Sequence, residues 1–143
     1  MEGCCLGDTM DFQSKDGCVT SWIEVSEERL TANYQTAAEV ARRESGRETA
    51  VLAVIKANAY GHDAAVCAPV LARAGAVWLG VTDVREGASV RTALAAAGIS
   101  AQPEILVMCG HLPEDAAAMV GNRLTPVVWT REQMEALADE AGA

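Results

Sequence analysis

The feature that most constrains this chain is a repeated alternation. Four short apolar runs are each followed by a stretch with helical spacing, in units about 25 residues long. The runs are Ala50–Ile55 (AVLAVI), Ala76–Val81 (AVWLGV), Glu104–Met108 (EILVM) and Leu124–Trp129 (LTPVVW). Near-continuous apolar runs of this length predict strands buried on both faces. Pro126 weakens the fourth, because proline cannot donate to a ladder. The stretches between them predict helices over Ala64–Ala74, Val84–Ala97, Pro113–Val120 and Arg131–Ala141. Gly75 and Gly98 supply stops, Pro113 a start and Thr130 an N-cap. Pro69 has to lie in the first turn of its helix or kink it. Regular alternation of this kind implies a parallel sheet with right-handed crossovers. Periodicity leaves two architectures open, an open doubly wound sheet and part of a (β/α)8 barrel. A complete barrel takes roughly 250 residues, so a chain of 143 supplies about half of one. In both architectures the chemistry belongs at the carboxyl ends of the strands.

One further helix is expected ahead of the first strand. Ser26 suits an N-cap, Glu27 and Glu28 favour the positive end of a helix dipole, and Leu30, Tyr34, Ala37, Ala38 and Ala41 recur at helical spacing before Gly46. Residues 1–17 have no period and are expected to form a poorly ordered leader, with the domain proper running over 18–143.

Composition removes several function classes. The net charge of −9, with scattered Lys and Arg, argues against a nucleic-acid-binding domain. No apolar run approaches the roughly 18 residues that span a membrane. The first residues lack the basic-then-apolar order of a secretory signal, so a cytoplasmic location is expected. Five cysteines, an odd number with no Cys-x-x-Cys pair, give neither a disulfide framework nor a zinc site. Cys109-Gly110-His111 lacks the spacing of a metal site, and no metal is expected.

The chemistry concentrates in Val54-Ile55-Lys56-Ala57-Asn58-Ala59-Tyr60-Gly61-His62-Asp63. A lysine directly after a buried strand sits at the catalytic edge of the sheet, where desolvation favours the neutral amine. A neutral amine can form a Schiff base with a carbonyl. Tyr60 follows in the loop entering the next helix, and such a loop can offer hydroxyl and N–H groups to a phosphate. Position alone favours a solvated lysine at a strand end.

Lys56-Ala57-Asn58-Ala59-Tyr60-Gly61-His62 closely resembles the cofactor-lysine signature of alanine racemases. The resemblance extends to Trp22-Ile23-Glu24-Val25 with Asn33, to Trp78-Leu79-Gly80-Val81, and to Glu86-Gly87, Arg91, Ala97-Gly98-Ile99 and Ile105-Leu106-Val107 in order. It covers about residues 21–140. The resemblance implies an incomplete (β/α)8 barrel of the TIM type, about four β/α units preceded by one helix. It implies that Lys56 carries pyridoxal 5'-phosphate as an internal aldimine and is one of two acid/base groups at the substrate Cα. Tyr60 would bond the cofactor phosphate and Val54 would line the pocket beside the cofactor ring. Gly61 and His62 are expected to serve the turn, His62 by capping the following helix. Asp63 stands where many relatives have glycine. Glu86 and Arg91 are expected to be solvated or structural.

The implied activity is interconversion of L- and D-alanine, supplying D-alanine for peptidoglycan, by a homodimer. Racemisation needs two opposed bases. In the family the second is a tyrosine from the partner subunit's later domain, and the arginine against the pyridine nitrogen also lies beyond Ala143. The chain is therefore expected to be inactive alone. A serine racemase-type domain of the same family and a non-catalytic pyridoxal-phosphate homeostasis protein are the alternatives. Basic amino acid decarboxylases lack the sequel to the lysine.

Overall fold

The computed structural model describes residues 23–142. The leader and the residues up to Trp22 lie outside them. Helix α1 (Glu27–Ser45) begins where Ser26 accepts a hydrogen bond from the Arg29 amide and ends at Gly46 in the left-handed region, φ 61°. Strand β1 (Leu52–Val54) is followed by the one-turn element α2 (Lys56–Tyr60) and helix α3 (Ala64–Arg73). Then come β2 (Trp78–Val81), α4 (Val84–Ala96), β3 (Glu104–Val107), a 3-10 turn at Pro113–Asp115 and α5 (Ala116–Gly121). Strand β4 (Thr125–Pro126) and α6 (Arg131–Ala141) complete the described chain. A reciprocal cap between Thr130 and Gln133 starts α6.

The sheet is four-stranded, wholly parallel, and ordered β1-β2-β3-β4. That order separates the two candidate architectures. A doubly wound sheet reverses direction at a switch point and covers both faces. Right-handed crossovers that always advance one strand in the same direction put every helix on one face, as in a barrel. The fold is therefore an incomplete (β/α)8 barrel, four strands of it, with α1 ahead.

Burial follows the two-residue period of the strands. Leu79, Val81, Ile105 and Val107 are fully buried and pack with Leu94, Val90 and Met119 of the helices. The alternate positions face no covering layer among the described residues. Leu52 is 36% exposed, and Val54, Trp78 and Leu106 are half-buried. The expectation of strands buried on both faces is thus corrected. The apolar residues of the second face are those a closed barrel turns inward, and four strands leave that interior open.

Two local expectations also change. Pro69 is neither at the helix start nor at an interruption; it sits in the interior of α3, buried. Its missing N–H costs one helical bond. Strand β4 is only two residues long, because Pro126 cannot donate, although Val127 N still bonds Val107 O at 3.1 Å.

Candidate active site

Pairing of β1 with β2 runs one residue past the strand, with Ile55 N donating to Gly80 O at 2.8 Å. Ile55, at φ −124° and ψ 26°, then leaves the extended path. Lys56 follows, half-buried, at the carboxyl edge of the first strand. Beyond it Ala57, Asn58 and Ala59 all lie near φ 50–54° and ψ 44–50°, and Tyr60 has φ 55°. The segment is one turn of left-handed helix. An L-residue in that region costs roughly 1–2 kcal/mol, so a run of four persists only if its surroundings fix it.

The surroundings do so from three sides. Asn58 Oδ1 accepts from Ala64 N at 2.8 Å, and Asp63 Oδ1 accepts from Ala65 N at 2.9 Å, so both side chains cap the start of α3. Gly61 N donates to Ala57 O and Asn58 O at 3.1 Å each, with Gly61 at φ 83°. The ring Nδ1 of His62 lies 2.9 Å from the Ala59 carbonyl, which makes Nδ1 the protonated nitrogen. His62 thus closes the left-handed turn; the expected cap on the following helix comes from Asn58 and Asp63 instead. Ala59 is buried against Ile55 and Cys67 in the core. Burial pushes the Cys67 thiol up, and the nearby Asp63 carboxylate adds to it. The third side is Glu86 on α4. Its Oε1 accepts from Ala57 N at 2.7 Å and its Oε2 from Thr82 N at 2.8 Å, so one carboxylate joins the lysine turn to the end of β2.

Of the expected site residues, Lys56 and Val54 are half-buried and Tyr60 is 59% exposed. Among the described residues Lys56 takes part in no ion pair. Val54 borders Gly80, where an added Cβ would come within 3.3 Å of Val54 Cγ2 and 3.2 Å of Met108 Sδ. Gly80 is buried, and the side chains of Met108, Val54 and Leu52 close over the place a side chain would take. A concavity of about 920 Å3 runs along the open edge of β1 beneath α1. Val54 and Tyr60 line it and Lys56 does not. It exists because β1 has a neighbouring strand on one side only.

Residues 25–143 match the family model described as alanine racemase, N-terminal domain. The chain belongs to the alanine racemase family. It is 36% identical over 115 residues to an alanine racemase of Dinoroseobacter shibae, covering 80% of this chain and 30% of that protein. Among solved structures, the alanine racemase of E. faecalis superposes with a TM-score of 0.61 at 27% identity, covering 81% of this chain and 29% of that one. That of Oenococcus oeni shares the fold at a TM-score of 0.63 and 22% identity, over 82% of this chain and 31% of that one. The chain thus spans about 30% of the length of the curated relatives it matches.

The chain's residues fit one side of a pyridoxal phosphate site. Lys56 stands half-buried at the strand edge, Val54 lies on the apolar second face of the sheet, and the exposed Tyr60 hydroxyl makes no hydrogen bond among the described residues. Glu86, expected to be solvated or structural, is structural: it accepts from two backbone amides, Ala57 N and Thr82 N. Asp83-x-x-Glu86, the spacing of a helix N-cap and its third residue, marks the helix start and not this contact. Asp83 does accept from Glu86 N at 3.0 Å, but the Glu86 carboxylate reaches across to the lysine turn.

Proposed function

We propose that this chain carries the lysine side of an alanine racemase active site, with Lys56 holding pyridoxal phosphate through its Nζ. The observation that carries the reading is Lys56 at the carboxyl edge of the first parallel strand, on a left-handed turn fixed by Asn58, His62 and Glu86. Four consecutive residues in a costly conformation signal a position whose geometry is selected for more than stability. When bound, the cofactor supplies the electron sink that makes removal of the substrate Cα proton accessible.

The residues then divide the work. Lys56 Nζ holds the cofactor and passes a proton to or from Cα on one face. Tyr60 Oη donates to the phosphate from the rim of the turn. Val54, half-buried on the second face of the sheet, lines the pocket beside the cofactor ring. Exchange on the opposite face requires a second base, which on this reading comes from the partner subunit of a homodimer. Alanine as substrate, D-alanine for peptidoglycan as the product's use, and a cytoplasmic setting belong to the same proposal. No helix among the described residues is long and apolar enough to cross a membrane.

The test is chemical. The chain is incubated with pyridoxal phosphate, reduced with borohydride, digested and mapped by mass spectrometry. The label should fall on the peptide containing Lys56 and vanish from it in Lys56→Ala. Labelling divided among other amines, and unchanged in Lys56→Ala, would remove the assignment.

A further inference from the structure

We infer that Glu86 is a positioning residue for Lys56, acting through two backbone amides on either side of the strand edge. The inference rests on the reading of Lys56 as the cofactor lysine, and adds the element that aims it. The Lys56–Ala57 peptide is where the chain turns from β1 into the left-handed turn, and the Ala57 N–H is the donor that leaves that peptide toward α4. Glu86 Oε1 accepts it at 2.7 Å, while Oε2 accepts the Thr82 N–H at 2.8 Å. Ile55, on the other side of Lys56, is tied to Gly80 of the same neighbouring strand. Lys56 is therefore held between two anchors, both fixed to β2: its preceding residue directly, and its own carboxyl-side peptide through the carboxylate.

The chemistry requires a carboxylate at this position. Two N–H groups converge on one side chain, so that side chain must accept twice and donate nothing. An ionised carboxyl does this, and its charge strengthens both bonds. Glutamine has the same shape but one acceptor; its NH2 would face an N–H donor. Glu86 is itself placed by the cap at Asp83, whose Oδ1 accepts from Glu86 N at 3.0 Å. A reactive group needs a supporting shell of this kind to stay within productive geometry.

The experiment compares wild type, Glu86→Gln and Glu86→Ala as the full chain, with two readouts. The first is amide hydrogen exchange and proton chemical shift at Ala57 and Thr82, which need no cofactor. The second is the rate and selectivity of borohydride-fixed pyridoxal phosphate at Lys56. The expected result is loss of protection at Ala57 and Thr82 in Glu86→Ala and at one of the two in Glu86→Gln, with a drop of about tenfold in Lys56 labelling rate in both variants, the size of one lost charged hydrogen bond. Glu86→Gln should be nearly as impaired as Glu86→Ala although it preserves packing. If wild type labels at Lys56 and Glu86→Gln labels as fast and as selectively, the positioning role is overturned. If wild type fails to label at Lys56, the cofactor reading falls by itself. The amide data then decide whether the carboxylate fixes the turn: retained protection at both Ala57 and Thr82 in Glu86→Gln overturns that, and loss at either upholds it.

Discussion

At the residue scale, Asp63 shows how a departure from a family pattern can be read physically. It sits at φ 71° and ψ 101°, a backbone position that suits glycine. It also caps α3 through Oδ1 and the Ala65 amide. Asp63→Gly relieves strain of about 1 kcal/mol and loses a cap of about 1 kcal/mol, so the two nearly cancel. Asp63→Ala loses the cap and keeps the strain. The glycine variant should therefore be the more stable of the two by about 1 kcal/mol in urea unfolding. Equal midpoints for both would mean that the positive φ carries no cost. The strained turn itself was not legible beforehand. Lys56 was found from the apolar run before it and the motif after it. Ala57, Ala59 and Tyr60, by contrast, have no intrinsic preference for left-handed backbone, and only Asn58 and Gly61 hinted at it. The turn is imposed by Glu86, Asn58 and His62, and a contact from 29 residues away has no local signature.

At the element scale, helices were read closely and strands loosely, and the reason is capping. Ser26, Gly46, Asp83 and Thr130 are side-chain or backbone punctuation that fixes helix ends locally. Strand ends are fixed by a neighbour, so AVLAVI shrank to the three residues that pair with Trp78–Gly80. Between the elements, Arg91 is the principal tie. From α4 its Nε donates to Asn122 O at 3.0 Å, Nη1 to Pro103 O at 2.9 Å and Gln102 Oε1 at 3.1 Å, and Nη2 to Arg123 O at 2.7 Å. These acceptors belong to the segments leading into β3 and β4, so one guanidinium sets where both strands begin. A lysine ammonium cannot span such a fan. Arg91→Lys should lower stability by about 2 kcal/mol in urea titration, since several charge-assisted bonds are lost. A change below about 0.5 kcal/mol would mean that water or neighbouring side chains replace them.

At the scale of the whole molecule, the sheet decides what the chain can do by itself. Its helix-facing side is complete, with Leu79, Ile105, Val81 and Val107 sealed. Its other side carries Leu52, Val54, Trp78 and Leu106 without a covering layer among the described residues, and β1 and β4 each have one unpaired edge. Open edges and an uncovered apolar face favour self-association. The proposed chemistry also supplies a base on one face of Cα only. The 143-residue chain alone, with added cofactor, should therefore convert L-alanine to D-alanine at no more than the background rate and should sediment as more than a monomer. A version extended with the remaining barrel strands and the later domain of a relative should be active, and Lys56→Ala in that version should abolish turnover. Chiral chromatography of alanine and sedimentation velocity measure the two outcomes. Turnover by the unextended chain would place the second base within it, and the tyrosines would be the first to replace. Tyr34 donates to Gly75 O at 3.4 Å and burial pushes its hydroxyl up, which suits a structural role. Tyr60, exposed and without a hydrogen bond among the described residues, would become the leading candidate, and its assignment to the phosphate would fall.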